Sequence, residues 1–165
     1  MQTVRVADTK DCELINRMAQ EAFPFTYRHI LEPDQIEYMM HWMYDPQNIY
    51  TQMTEEGHVY FVAYQDDEPA GYVSVRPDGE SLYHLEKIYV LPRFQKMHFG
   101  QLLFMTMEKY VRKQASLPCA IELNVNRQNP AVDFYLHMGM HIDRQGDFPI
   151  GNGYFMNDYI MKKEL

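Results

Sequence analysis

The residues best placed to bind a charged ligand form a polar loop between a predicted strand and a predicted helix. The loop ends at Gly100 and carries two cations, Arg93 and Lys96, directly before the helix. A helix N-terminus offers unpaired N–H groups and the positive end of the helix dipole, which suit a phosphate. Ligands bind at the carboxyl ends of strands in α/β sheets, where this loop falls. The pattern therefore indicates a phosphate site, and a plain solvated loop is the alternative that it leaves open.

A carboxylate, Glu86, lies in the strand that precedes this loop. Strand alternation predicts that Glu86 shares a face with Ile88 and Val90, opposite Lys87 and Tyr89. A carboxylate among apolar groups holds a proton more readily than one in water, which suits a general base. An ordinary exposed strand glutamate is the other interpretation.

Histidines and cysteines do not form a metal-binding pattern in this chain. His137 and His141 are four residues apart, but Gly139 separates them, and Cys12 and Cys119 lack the CxxC spacing. We therefore expect neither a metal site nor a disulfide framework. Isolated thiols are normal in a reducing compartment. Since the N-terminus lacks the apolar region of a secretory signal and no apolar run approaches about 18 residues, we expect a cytoplasmic protein without membrane contact.

Composition narrows the possible partners. The chain has 165 residues and a formal net charge of −8. A negative surface repels nucleic-acid phosphates, so we expect no nucleic acid to bind. The same charge is compatible with a cationic substrate, although solubility alone also explains it. The length and a hydrophobic content of 46% predict a single domain over residues 1–165.

The first half of the chain reads as a strand, two helices and three further strands. Val4–Val6 is a short strand, and Asp8 or Thr9 caps a helix with a periodic apolar stripe, which Pro24 is expected to break. Pro33 can open a second helix. The three strand-like runs are Val59–Tyr64, Ala70–Val75 and Leu82–Leu91. The short turns between them predict an antiparallel meander.

The second half changes from meander to crossover. From Leu82 to Val125 the pattern is strand, loop, helix and strand, which predicts a βαβ unit with parallel strands. A short helix over Pro130–Met138 follows, and Met140–Gln145 and Tyr154–Lys162 read as a last strand pair. An antiparallel meander that runs into a βαβ unit predicts an α/β fold with a mixed sheet and helices on its faces.

Two strings on these elements resemble the acetyl-CoA signatures of the GNAT superfamily of N-acetyltransferases. Leu85–Pro92 followed by Gln95–Gly100 is similar to the family's strand ending in valine and its Gln/Arg-x-x-Gly-x-Gly/Ala turn. Asn126–Ala131 followed by Phe134–Met140 is similar to its Asn-x-x-Ala and Phe-Tyr-x-x-x-Gly-Phe stretches. The strings occur in the family's order and cover about half of the chain. Within the superfamily, the tail Tyr154–Leu165 and the Leu-Glu-Lys-Ile-Tyr-Val strand make the likeness greatest to bacterial PaiA-type polyamine acetyltransferases.

The resemblance implies an enzyme that moves an acetyl group from acetyl-CoA to a primary amine, with a small cation such as a polyamine as the acceptor. A protein or peptide acetyltransferase and a non-catalytic acyl-CoA-binding module are the alternatives. It also implies a GNAT fold of six to seven strands, mostly antiparallel around a central parallel βαβ unit, with about four helices. The edge strands of such a sheet could pair two subunits, so a homodimer is possible.

The resemblance also assigns roles to individual residues. Tyr135 is the candidate general acid for the departing thiolate, and Glu86 is the candidate base, acting through water. A core aromatic is the alternative for Tyr135, and helix capping is the alternative for the two asparagines below. The implied cofactor contacts are Ile88, Tyr89, Val90, Gln95, Lys96, Met97, His98, Phe99, Gly100, Gln101, Asn126, Asn129 and Tyr135. The implied substrate residues are Phe25, Tyr27, Tyr38, Trp42 and Glu32.

The signature departs from the family pattern at two positions. His98 occupies the place of the first glycine, where the family's backbone approaches the diphosphate closely. If this position needs a positive φ, a histidine is strained there, and if it does not, the imidazole could donate a hydrogen bond to phosphate. Met140 replaces the usual phenylalanine, which is a mild change in packing.

Overall fold

The computed structural model describes residues 1–165 as a seven-stranded mixed sheet with helices on both faces. The strands are β1 Gln2–Val6, β2 Val59–Gln65, β3 Glu68–Pro77, β4 Leu82–Val90, β5 Ala120–Asn126, β6 His141–Gly151 and β7 Tyr154–Glu164. Their spatial order is β1-β2-β3-β4-β5-β7-β6, and only the β4–β5 pair is parallel. The predicted meander, βαβ unit and C-terminal strand pair are confirmed.

Five α-helices accompany the sheet, one more than predicted. They are α1 Cys12–Tyr27, α2 Pro33–Tyr44, α3 Pro46–Thr54, α4 Phe99–Gln114 and α5 Ala131–His137. The sequence did not predict α3, because this helix buries only Ile49 and Gln52 and so has no apolar stripe. Its start is nevertheless regular: the Asp45 carboxylate accepts a hydrogen bond from the Gln47 N–H at 2.9 Å, and Pro46 occupies the first turn.

Helix α1 passes through Pro24, so the predicted break at this residue is wrong. Proline removes one backbone donor and usually ends or kinks a helix. Here the last turn carries Tyr27, which is buried and packs its ring 4.7 Å from that of Phe23. The packing of this aromatic pair outweighs the local preference. The predicted capping by Asp8 is confirmed at the 3-10 turn Thr9–Asp11, which leads into α1. Asp8 and Asp11 form a capping box at the start of this turn.

The two faces of the sheet are covered by different helices. Helices α1, α2 and α3 lie on one face, where Phe23 packs edge-on against Tyr89 of β4 at 5.8 Å. Helix α4 covers β2, β3 and β4 on the other face. Its close approach requires Gly71 on β3, because a Cβ atom there would lie 3.2 Å from Leu103 and 2.6 Å from the Tyr89 oxygen. No helix is both long and apolar enough to span a bilayer.

A bulge in β4 changes which side chains share a face. Ser74 of β3 pairs with Lys87 and the next residue, Val75, pairs with Leu85, so Glu86 has no partner on β3. The extra residue turns the Glu86 side chain toward the face that Lys87 occupies. The predicted alternation, which placed Glu86 with Ile88 and Val90, is therefore wrong at this point. Regular period-2 reading cannot detect a bulge, because the bulge itself breaks the period.

Lys87 fixes the bulged strand to the helices above it. Its ammonium group is buried and donates hydrogen bonds to Tyr60 Oη at 2.5 Å, to the Met43 carbonyl at 2.8 Å and to Gln52 Oε1 at 3.0 Å. It also lies 4.4 Å from the centre of the Tyr44 ring. Burial lowers the pKa of Lys87 to about 7. These contacts hold β4 in register against α2 and α3.

Candidate active site

The central feature of the site is the separation of β4 from β5. The two strands pair only over the three residues from Leu82 to His84, which face Ala120 to Glu122. Beyond His84 they diverge, and a cleft of about 930 Å³ opens between them. It extends from the end of α1 to the first turns of α4 and α5.

Main-chain groups of β4 face this cleft. The N–H of Leu91 donates to the Ala70 oxygen at 2.8 Å, so residue 91 points its backbone toward β3. Because backbone direction alternates along a strand, Ile88 and Val90 point theirs away from β3, toward the space that β5 has left. Both residues line the cleft. They therefore offer hydrogen-bonding groups to a ligand that lies along β4.

The loop before α4 provides the second binding element. Lys96 and His98 both have left-handed backbones, with φ values of 69° and 66°. His98 is the residue before the helix and has no side-chain capping bond. Gly100 lies in the first turn, where a Cβ atom would come within 3.4 Å of the Phe134 ring. The loop thus presents unpaired N–H groups to the cleft beside the Lys96 side chain, which fits a diphosphate.

His98 occupies a position that needs a positive φ. Of the two alternatives drawn from the sequence, the strained one is the one observed. Histidine in this region costs about 1–2 kcal/mol relative to its preferred conformations. Arg93, the other basic residue of the loop, turns away and forms ion pairs with Glu21 at 2.9 Å and Glu68 at 3.8 Å.

The remaining predicted cofactor residues are divided between the cleft and its supports. The cleft is lined by Tyr89, Gln95, Lys96, His98, Phe99, Gly100, Gln101, Asn129 and Tyr135 in addition to Ile88 and Val90. Met97 lies outside it, and its carbonyl accepts a bond from Gln2 at 2.8 Å. Asn126 also lies outside and accepts from the Gln128 N–H at 2.9 Å. Asn129 lines the cleft and caps α5 at the same time, accepting from the Ala131 N–H at 2.9 Å.

Tyr135 lies on α5 at the wall of the cleft. Its side chain is buried, and burial raises the pKa of its phenol, with a smaller contribution from the nearby Tyr27. The phenol therefore keeps its proton at neutral pH, which a general acid requires. Its hydroxyl has no hydrogen-bond partner within the chain and is not enclosed. It remains available to a ligand in the cleft.

A second cleft of about 640 Å³ lies next to the first along β4. Its walls come from α2, α3, β4 and the β6–β7 hairpin. Five residues line both clefts: Tyr27, Glu86, Lys87, Tyr89 and Asn124. A ligand lying along β4 and another entering from α2 would therefore meet at this shared wall, which we call the junction.

Glu86 lies at the junction but is not surrounded by apolar groups, contrary to prediction. Its Oε1 atom accepts from Arg76 Nε at 2.5 Å, and Arg76 also lies 3.5 Å from Asp78. Two histidines complete this polar cluster, and burial lowers the pKa of His58 to about 4 and lowers that of His84. The bulge accounts for the difference, because it turns Glu86 toward these polar side chains.

Sequence reasoning missed one carboxylate of the second cleft, Asp158 on β7. Only 4% of this residue is exposed, and its Oδ1 atom has no hydrogen-bond partner. Burial raises the pKa of Asp158 to about 6, and a hydrogen bond from Asn124 and the charge of Arg127 offset only part of that effect. The signal was present in the strand's period: Met156 and Ile160 are buried on the same face, which makes a charged residue between them unusual.

The residues predicted to hold the acceptor are found in different places. Phe25 lines the first cleft, Trp42 lines the second, and Tyr27 lines both. Tyr38 packs against Trp42 and donates to the Ile150 carbonyl at 2.7 Å, so it supports the wall of the second cleft. Glu32 precedes α2 and lines neither cleft.

Comparisons with known proteins agree with this geometry. Residues 15–140 match the acetyltransferase (GNAT) family. The match spans most of the chain, and the chain belongs to this family of N-acetyltransferases, whose acetyl donor is acetyl-CoA. The free backbone groups of β4 and the basic loop before α4 fit this donor.

Three relatives resemble the chain over nearly its whole length. A spermidine N(1)-acetyltransferase from Thermoplasma acidophilum is 23% identical over 167 residues, which cover 98% of this chain and 96% of the relative. The structure of a PaiA N-acetyltransferase from the same organism, in complex with coenzyme A, has a TM-score of 0.83 at 20% identity and covers 100% of this chain and 99% of that one. A GCN5-related N-acetyltransferase from Rhodopseudomonas palustris has a TM-score of 0.83 at 18% identity and covers 100% and 96%.

Proposed function

We propose that the protein acetylates a primary amine of a small cationic acceptor, with polyamines as the leading class. The observation that carries this proposal is the second cleft, which shares the junction with the first cleft. Its wall contains Asp158, a buried carboxylate without an ion-pair partner. A buried carboxylate is stabilised by a cation that enters beside it. The formal net charge of −8 supports the approach of such a cation.

Aromatic side chains add to this preference for a cation. Tyr27, Tyr89, Trp42 and Phe148 line the second cleft. Aromatic faces attract ammonium groups and pack against the methylene segments between them. The distant spermidine acetyltransferase relative is consistent with this choice of acceptor.

The second cleft lies between α2 and the β6–β7 hairpin, and this position favours a small acceptor over a protein. The β6–β7 hairpin is tied to α2 by two hydrogen bonds, from Tyr38 to the Ile150 carbonyl at 2.7 Å and from Tyr154 to Asp34 at 2.7 Å. These bonds hold the hairpin against α2 at the wall of the cleft. A protein or peptide acceptor is the alternative, and the panel of acceptors below distinguishes the two.

The chain's residues divide the chemistry among three positions. Backbone groups of Ile88 and Val90 bind the donor's carbonyl and pantetheine arm, and the start of α4 binds the diphosphate. When bound, acetyl-CoA supplies a thioester that a free amine can attack. Tyr135 donates its proton to the sulfur as the acyl–sulfur bond breaks, which prevents a thiolate from building up. Glu86, paired with Arg76, adds its negative charge to the junction. The resemblance assigned to Glu86 the role of a base that acts through water.

A panel of acceptors tests this proposal. Initial rates with acetyl-CoA are measured for spermidine, putrescine, propylamine and an alanine-terminated hexapeptide. We expect kcat/KM for spermidine to exceed that for propylamine and for the peptide by at least about tenfold, equivalent to one well-placed charge interaction. Propylamine is the control for the reacting nitrogen alone. A peptide that reacts fastest would contradict the proposal and favour a protein acceptor.

A further inference from the structure

Asp158 is a buried carboxylate that forms no ion pair with any side chain of the protein. Its Oδ1 atom is buried and without a partner, and Oδ2 accepts only one long bond, from Asn124 Nδ2 at 3.4 Å. Burying an ionised carboxylate in this way is strongly unfavourable unless a cation or further donors compensate it. An ionised aspartate in such a position destabilises the free protein, and a cationic ligand bound beside it would remove that destabilisation.

The nearby cations are already engaged elsewhere. Arg127 donates to the main-chain oxygen of Asp158 at 3.3 Å, but its carboxylate partner is Asp147 at 2.7 Å. Arg76 pairs with Glu86. The ammonium group of Lys87 is surrounded by its three acceptors. None of these groups is hydrogen-bonded to the Asp158 carboxylate.

Asp158 lies beside the junction of the two clefts. Its hydrogen-bond partner Asn124 lines both clefts, as does Tyr27. Tyr27 and Asp158 both line the second cleft, and the charge of Asp158 adds to the burial that raises the pKa of Tyr27. Tyr27 likewise adds to the burial that raises the pKa of Tyr135. The nitrogen that reacts must occupy this junction, because the thioester reaches it from the first cleft and the amine from the second.

We propose that Asp158, rather than Glu86, accepts the proton of the reacting ammonium group. This assignment rests on the proposed function, since it requires a cationic acceptor in the second cleft. Glu86 is the weaker candidate because protonating it would break its ion pair with Arg76. Asp158 has no such pair to lose, and an ammonium group beside it removes the cost of its burial.

The proton transfers balance as follows. An N–H bond of the ammonium group breaks, its electron pair stays on nitrogen, and Asp158 forms an O–H bond. The nitrogen electron pair then forms the amide bond to the acetyl carbon while the carbon–sulfur bond breaks. Sulfur takes the proton of Tyr135, and the second nitrogen proton passes to the Tyr135 oxygen. Asp158 releases its proton to solvent after the amide leaves, so that one proton is produced for each amine acetylated.

This account predicts a pH dependence. Because burial raises the pKa of Asp158 to about 6, the carboxylate is mostly ionised at pH 7 and protonated below about pH 5. Activity should therefore fall about tenfold per pH unit below about pH 6. The other charged and titratable groups facing the cleft are His84, Glu86, Lys87 and Tyr89 from β4, Arg76 from β3, His58 and Glu56 before β2, and Tyr27 from α1.

The test compares Asp158→Asn with the unaltered protein. Asparagine keeps the shape of the side chain and removes its charge and its proton affinity. We expect kcat/KM for spermidine to fall at least about a hundredfold at pH 7.5, and the acidic limb near pH 6 to disappear. Coenzyme A should bind with unchanged affinity and thermal stability should not decrease, since an unpartnered buried charge has been removed. Asp147→Asn, on the exposed partner of Arg127, is the matched control and should retain both rate and limb.

Several outcomes would overturn the assignment. An acidic limb that survives in Asp158→Asn but disappears in Glu86→Gln would return the role to Glu86. A raised KM with kcat and the limb unchanged would make Asp158 an anchor for the cation and not its proton acceptor. If the variant does not fold, the unaltered protein still decides, because an acidic limb far from pH 6 contradicts the proposal. Absence of amine acetylation by the unaltered protein, with coenzyme A bound, would instead refute the proposed function.

Discussion

Replacing Tyr135 with phenylalanine is expected to lower kcat for amine acetylation about a hundredfold. General acids contribute about 10²–10⁴-fold, and Tyr135 is a protonated phenol on the wall of the first cleft whose hydroxyl has no partner within the chain. The change removes one oxygen and leaves the ring, so the contact of this ring with that of the neighbouring Phe134 should persist. Steady-state kinetics with saturating acetyl-CoA measures the effect.

Two accompanying measurements make this result specific. Coenzyme A should bind Tyr135→Phe nearly as tightly as the unaltered protein, because most of its expected contacts lie on β4 and at the start of α4. Tyr110→Phe serves as the control, since Tyr110 packs against Phe61 at 5.6 Å, outside both clefts. Full activity in Tyr135→Phe would show that the departing thiolate needs no acid from this residue.

Replacing His98 with glycine is expected to stabilise the protein by about 1 kcal/mol. The left-handed backbone of His98 costs about 1–2 kcal/mol, and the greater freedom of glycine in the unfolded chain offsets part of the gain. For a chain of 165 residues this corresponds to a rise in Tm of about 2–4 °C, measurable by calorimetry. Coenzyme A should bind at least as tightly as before, because main-chain N–H groups are assigned to the diphosphate.

His98→Ala separates the backbone from the side chain. Alanine removes the imidazole but keeps the strain, so its Tm should not rise. If the glycine and alanine variants both lose about tenfold or more in coenzyme A affinity, the imidazole itself contacts the phosphate. That result would contradict the assignment of phosphate binding to the main chain alone.

The parts of the fold that the sequence predicted are those with a strong local signal. The β4–α4–β5 crossover was recognisable because a β-branched and aromatic strand, a loop and a periodic helix follow one another over Leu82–Val125. Hairpin turns such as Asp66-Asp67 fixed the antiparallel pairs. The last strand pair was predicted in the right place, although β6, predicted as Met140–Gln145, extends to Gly151 because its pairing with β7 continues to the Gly151–Tyr154 pair.

The parts that were missed depend on contacts distant in sequence. The bulge at Glu86 is a property of two paired strands, so the face of this carboxylate and its ion pair with Arg76 could not be read from β4 alone. The passage of α1 through Pro24 depends on the packing of Tyr27. Asp158 stood out only weakly, since one charged residue at an inward position is also compatible with an exposed strand end. Whether its Oδ1 atom has a hydrogen-bond partner depends on the side chains of β5 and α1 that surround it, and the sequence of β7 does not contain that information.

The central claim is that the two clefts form one continuous site for acetyl-CoA and a cationic amine. A conjugate of coenzyme A joined to spermidine through an acetyl-length spacer tests it most directly, with its Kd compared with that of coenzyme A alone by calorimetry. The control is the same conjugate with a butyl group in place of the polyamine. We predict that the spermidine conjugate binds at least about a hundredfold more tightly than coenzyme A, because the second cleft is filled at high effective concentration. A conjugate that binds no more tightly than coenzyme A or the butyl control would contradict the claim.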